Sequence, residues 1–244
     1  MKVRLTIAYD GTAYGGWQVQ PGVMTIQEKL EETLERLTGE RPKVHGSGRT
    51  DQGVHALGQV AHADLAGPMA PKAVQRALNA LLPPDIRITA CAPAAEDFHA
   101  RRSARWKEYR YFIWNGPVLP PHLRLYRAHV ARPLDVEAMR KASRHLVGRH
   151  DFAALTANPN REVESTVREV TRVDLIKKGA DLTLVVRGEG FLYKMVRSIA
   201  GILIRIGEGA LSPDALLAIR NSGVRTARVP TAPSKGLFLW RVGY

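Results

Sequence analysis

The chain has 244 residues, 45% hydrophobic and 24% charged, which is enough to bury a core and has the proportions of an ordinary globular protein. No apolar run reaches the roughly 18 residues of a membrane helix. The alternating N-terminus, Met1 to Asp10, has no signal-peptide core, so a cytoplasmic location is expected, and the single cysteine, Cys91, rules out an intrachain disulfide or a cysteine-based metal site.

Charge is the informative bound. Lys and Arg number 36 against 23 Asp and Glu, a net charge of +13 with Arg dominant. That is the footprint of a protein that binds a polyanion, and Arg suits bidentate contact with phosphate. No amphipathic helix carries the dense basic face that an anionic membrane would attract. Nucleic acid is therefore the expected partner.

Val3, Leu5, Ile7 and Tyr9 alternate as in a strand. Thr25-Ile26-Gln27-Glu28 has the capping-box pattern, Ile26, Leu30, Leu34 and Leu37 follow at helical spacing, and Gly39 closes the helix. Strands are predicted near 42–47 and 55–65, a helix from Pro71 to about Leu81, a stop at Pro83-Pro84, and a strand over 86–92. The second half is predicted to run as a strand at 105–114, a helix capped by Asp135 and ending before Gly148, and a hairpin of 165–177 with 181–188. Helices over about 191–207 and after Ser212-Pro213, then a strand at 236–242, complete it.

Both halves read β-α-β-β-α-β, the ferredoxin-like split unit, so the fold class is α+β. The expected division is 1–104 and 105–244, with the two sheets joined and a cleft between the halves.

Residues 46–56, Gly-Ser-Gly-Arg-Thr-Asp-Gln-Gly-Val-His-Ala, place a carboxylate, a guanidinium and an imidazole in a glycine-rich loop. Asp51 is thus an acid presented by a strongly basic protein. Phe98-His99-Ala100-Arg101-Arg102 leads into a strand, and residues 98–111 interleave five cations with aromatic rings. Cations neutralise phosphates and rings stack on unpaired bases. For the strand part, an edge strand with inward rings and solvated arginines fits equally well. The 98–102 run has no such periodicity and favours phosphate contact.

Gly190 to Ile206 is apolar around most of a helix, with Arg197 inside it. Either Arg197 pairs with a carboxylate, for which Asp51 is a candidate, or it reaches to solvent along its own stem. Tyr9 to Gln18 is a second glycine-aromatic loop, either a turn with its rings packed down or a wall of the cleft.

Other chemistries lack their motifs. There is no phosphate-cradling Gly-x-x-x-x-Gly-Lys loop, no complete dinucleotide fingerprint, no zinc-type histidine spacing and no base for Ser47. His62 and Asp64 are a weak metal pair that, with Asp51, leaves a metal-dependent nuclease as one alternative.

Taken together, several short motifs resemble the tRNA pseudouridine synthase A family along nearly the whole chain. They are Tyr9-Asp10-Gly11 with Gly16-Trp17-Gln18, Gly48-Arg49-Thr50-Asp51 with Gly53-Val54-His55, Asn79 to Pro83, and Phe98-His99-Ala100-Arg101. Tyr109-Arg110-Tyr111, His150-Asp151-Phe152, Gly190-Phe191 with Met195-Val196-Arg197, Thr231-Ala232-Pro233 and Gly236-Leu237 follow in order.

The resemblance implies a pseudouridine synthase fold and isomerisation of uridine to pseudouridine at positions 38, 39 and 40 of the tRNA anticodon stem-loop, by a homodimer. It implies that Asp51 is the catalytic nucleophile or base, that Arg49 assists base flipping, that Tyr109 stacks on the target base and that Arg197 pairs with Asp51. Phe98, His99, Arg101 and Arg102 become substrate-binding candidates. An isomerisation has no redox change and no net hydrolysis, so no cofactor or metal is expected.

Glu189, Lys194 and Leu155 depart from residues frequent in the family. Two further alternatives stand beside this reading: a non-catalytic RNA-binding module, and a pseudouridine synthase with a different uridine specificity.

Overall fold

The structure is a computed structural model and describes residues 1–157 and 164–244, which divide into two units, Met1–Arg105 with Phe238–Tyr244, and Trp106–Leu237.

The first unit begins with β1 (Lys2–Tyr9) and α1 (Ile26–Thr38), followed by β2 (His45–Gly46), β3 (His55–Asp64), α2 (Pro71–Leu81) and β4 (Ile86–Pro93). Val3, Leu5, Ile7 and Tyr9 are all buried on one face of β1, as period-two alternation requires. Thr25 caps α1 by accepting a hydrogen bond from the Glu28 N–H, and Gly39 ends it in the left-handed region. Ile26, Leu30 and Leu34 form its buried stripe, and Val74 and Leu78 form that of α2, which packs against β4 and α1. β1 lies between β3 and β4, antiparallel to both, and β2 pairs with β3. This is the expected β-α-β-β-α-β unit.

The expected strand over 42–47 shrinks to two residues, His45 and Gly46, opposite His62 and Ala61. Pro42 has no N–H to give a ladder, and the Val44 N–H goes to Glu31 Oε1 at 3.0 Å instead.

The second unit contains β5 (Trp106–Trp114), β6 (Ala128–His129), α3 (Val136–Ser143), β7 (Gly148–Asp151), β8 (Val167–Lys178), β9 (Asp181–Gly188), α4 (Met195–Gly207) and α5 (Ala215–Ser222). The order β5-β9-β8-β7 is antiparallel throughout, and β6 adds to β5 in parallel. Tyr111, Ile113, Leu184, Val186, Met139 and Phe152 are buried in its core. Ten of the thirteen α4 residues are buried, matching its all-round apolar pattern. α4 starts at Met195 rather than near 191, because Lys194 adopts φ 56° and breaks the helical path.

The last strand, β10 (Leu237–Gly243), was expected to close the second half. Instead its residues from Phe238 onward belong to the first unit, where Phe238 and Leu239 pair in parallel with His55 and Ala56. The second unit therefore has the β-α-β-β-α part of the split motif without its final strand. Among the described residues no helix is long and apolar enough to cross a membrane.

Replacing the α1 cap, Thr25→Ala, removes one acceptor from an otherwise orphaned N–H. Urea unfolding followed by circular dichroism is expected to show a loss of about 1 kcal/mol.

Candidate active site

In the first unit the glycine loop is fixed residue by residue. The Ser47 N–H donates to Val60 O at 2.7 Å and the Ser47 hydroxyl to Gln59 Oε1 at 2.7 Å. The Gln59 side-chain amide then donates to Gly48 O at 2.9 Å, so one fully buried glutamine holds two positions of the loop. Thr50 Oγ1 and Tyr9 Oη share a hydrogen bond of 2.8 Å, and Thr50 O accepts the Trp17 N–H at 3.1 Å. Burial pushes the Tyr9 phenol pKa up, so this contact keeps its proton across the working range of pH.

Beyond Thr50, the Val54 N–H donates to Asp51 O at 3.1 Å and the Gly53 N–H to Tyr14 O at 3.4 Å. Asp51 is half-buried, with its backbone fixed on both sides, while Arg49 and Gln52 are exposed.

The Tyr9–Gln18 loop supports that arrangement from beside it. Tyr9, Tyr14 and Trp17 are each 3% exposed or less, so the packed-down reading of the rings holds. Gly16 is required: its φ is +104°, and an added Cβ would lie 2.5 Å from Thr50 O.

The Phe98–Arg102 turn is anchored by histidines. The Ala100 N–H donates to His62 Nδ1 at 3.1 Å, and His99 Nδ1 accepts the Arg101 N–H at 3.1 Å. His45 stacks on His62 at 4.9 Å, and His99 lies 4.8 Å from it. The Phe98 ring packs on Tyr244 at 5.1 Å, and the Tyr244 hydroxyl donates to Ala100 O at 2.7 Å. Phe98 and His99 therefore build the turn, and Arg101 and Arg102 are the side chains it exposes.

Burial lowers the His62 pKa to about 4, helped by nearby His45, His99 and Lys2. His99 is shifted the same way, first by burial and then by Arg102 and His45. His62 Nδ1 accepts a backbone N–H, Asp64 is exposed, and among the described residues no group of three metal-ligating side chains comes together.

In the second unit β5 separates two chemistries by its alternation. Tyr109 is 8% exposed, its ring meeting Phe191 edge-on at 5.1 Å. On the opposite face Glu108 is buried, its Oε1 accepting from Arg110 at 3.0 Å and its Oε2 from Arg187 at 2.6 Å. Burial opposes the charge on Glu108, but the two guanidiniums outweigh it and hold the carboxyl below its usual range. Arg187 also lies over Trp106, 4.4 Å from the ring centroid. The strand part of the cation-aromatic run is thus an alternating strand whose Arg110 is clamped to Glu108.

Arg197 sits in the first turn of α4, half-buried. Its Nε donates to Ala232 O at 2.8 Å, and the Ala232 N–H donates back to Arg197 O at 3.1 Å. Sequence reasoning missed Gln59, Glu108 and the Ala232 contact. The first two leave one signal, a polar residue at an inward strand position.

Neutral His62 accepts the Ala100 N–H, and protonation at Nδ1 would set donor against donor. Its folded pKa of about 4 lies below the ordinary 6.5, so the unfolded chain takes up the proton first. This contribution to stability is complete above about pH 6.5 and is lost as pH falls toward 4. Urea midpoints at pH 7, 5.5 and 4.5 are expected to fall more steeply in the parent protein than in His62→Gln.

The chain matches the sequence model of a family described as tRNA pseudouridine synthase over residues 5–101 and 142–244. It is 46% identical over 246 residues to tRNA pseudouridine synthase A of Chlamydia muridarum, covering 100% of this chain and 92% of that protein. It is 46% identical over 244 residues to the protein of the same name from Geotalea uraniireducens, covering 100% and 99%. The relative of that name from Bacillus velezensis is 45% identical over 246 residues, covering 100% and 99%. With both units spanned at this depth, the chain belongs to the tRNA pseudouridine synthase family.

Proposed function

We propose that this enzyme converts uridine to pseudouridine at positions 38, 39 and 40 of the tRNA anticodon stem-loop, acting as a homodimer. In this reading Asp51 is the reacting carboxylate, Arg49 assists extrusion of the target nucleotide, Tyr109 stacks on the extruded base and Arg197 pairs with Asp51. Exposed Arg101 and Arg102 contact phosphates from the turn that Phe98 and His99 build. The observation that carries the reading is the family match over residues 5–101 and 142–244, whose motif loop, Gly48 to Asp51, is pinned through Gln59 and Tyr9.

The chemistry suits these residues. The N1–C1′ bond breaks, the uracil turns over, and a C5–C1′ bond forms. C5 loses its hydrogen to solvent as a proton and N1 gains one, so atoms and electrons balance without an oxidant or a hydrolytic water. Asp51 fits three roles: attack at C1′, addition at C6, or abstraction of the 2′ proton. Each needs the carboxylate, which a neighbouring guanidinium favours. Extruding the base costs a few kcal/mol, which cationic contacts along the backbone can offset.

Two experiments test the reading. Tritium release from tRNA carrying [5-³H]uridine, measured in excess chelator, is expected with the parent enzyme. Asp51→Asn is expected to lower turnover at least about a thousandfold while tRNA affinity stays within a few fold. Release without the carboxylate would remove Asp51 from the chemistry. Tight binding with no release by either protein would leave a non-catalytic RNA-binding module, and mapping the modified positions separates other uridine specificities.

Second, Arg101→Ala and Arg102→Ala are each expected to weaken tRNA binding and to reduce the slope of log affinity against log salt by about 0.7–0.9. An unchanged slope would take the 98–102 turn off the RNA.

A further inference from the structure

Arg225 lies outside the family-like motifs, and its guanidinium bridges three acceptors on two separate segments. Nη1 donates to the Ser198 hydroxyl at 2.9 Å, and Nη2 donates to Val229 O at 2.7 Å and to Thr231 Oγ1 at 2.9 Å. All three acceptors are neutral. Ser198 is fully buried and follows Arg197 directly in α4. Val229 and Thr231 belong to the short segment that ends at Ala232, the residue bonded to Arg197 in both directions.

The same segment lies flat against α4, since a Cβ on Gly201 would meet Pro230 O at 2.4 Å. The next residue, Pro233, is tied down by Tyr111, whose hydroxyl donates to Pro233 O at 2.9 Å. A planar fork of donors can brace points far apart in sequence at fixed angles, which a lysine cannot do. Burial lowers the Arg225 pKa, and the three oxygens it donates to carry no charge to offset that cost.

We propose that Arg225 is a positioning residue for Arg197: it braces Ser198 against the 229–231 segment and so sets where Ala232 holds the Arg197 guanidinium. The inference rests on the proposed role of Arg197 in catalysis. It does not place Arg225 in contact with RNA.

A double-mutant cycle on tritium release tests it. Arg225→Met is expected to lower kcat about ten- to a hundredfold with KM within about threefold, the scale of a misplaced catalytic group. Arg225→Lys keeps the charge but not the fork and is expected to recover little. In an Arg197→Met background, Arg225→Met is expected to cost almost nothing further, because its effect passes through Arg197. The same penalty in both backgrounds, or a rise in KM with kcat intact, would overturn the proposal.

Should Arg225→Met fail to fold, the pair Ser198→Ala and Thr231→Val removes one acceptor at each end of the brace. That pair is read in the same cycle by the same criteria. An Arg197→Met enzyme with full activity would instead refute the catalytic role of Arg197, and the positioning role with it. A large but measurable loss in Arg197→Met, with Arg225→Met adding its full effect on top, would refute the positioning role alone.

Discussion

Thr50 is held at two points, its hydroxyl against the Tyr9 phenol and its carbonyl against the Trp17 N–H, and the conformation of the glycine loop follows from that. A glycine-rich segment left alone would sample many conformations, and each residue fixed costs about 1–2 kcal/mol in entropy. A single neutral hydrogen bond returns only about 1 kcal/mol. Fixing the loop therefore takes several bonds together, from Ser47, Gln59, Tyr9, Trp17 and Tyr14, each anchored in a strand or a packed loop that is already ordered. The glycines allow the close approach, and the surrounding residues remove the freedom that glycine brings.

The second unit uses arginine in two different ways. Around Glu108, two guanidiniums share one buried carboxylate, and the pairing keeps a charge inside a sheet that would otherwise be costly to bury. Around α4, Arg225 donates to one carbonyl and two hydroxyls, so its planar geometry matters more than its charge. A net charge of +13 therefore does not translate directly into phosphate contacts, because part of it is consumed in building the unit.

The histidines of the first unit follow the same logic. His45 stacks on His62, His99 packs beside them, and the His62 and His99 ring nitrogens accept backbone N–H groups of the 98–102 turn. Imidazole suits this position because its neutral ring supplies an acceptor nitrogen while packing as a flat apolar surface. The turn that exposes Arg101 and Arg102 is thereby fixed by groups that carry little positive charge near neutral pH, which limits repulsion among the cations.

Much of this was legible in the linear chain. The helices α1 and α2, the hairpin of β8 with β9, the apolar wrap of α4 and the Asp51 loop all follow from local rules of periodicity, capping and glycine placement. Those rules act over a few residues, so order in the chain suffices to see them. Tertiary structure alone decided that β10 returns to the first unit, that α4 begins beyond a left-handed Lys194, and that Phe98 packs inward. It also decided which oxygens Gln59, Glu108, Arg197 and Arg225 would meet. The Arg197, Arg187–Glu108, Phe98 and β10 contacts join residues tens to more than a hundred positions apart, and no local pattern encodes which distant acceptor a polar side chain will reach once burial forces it to find one.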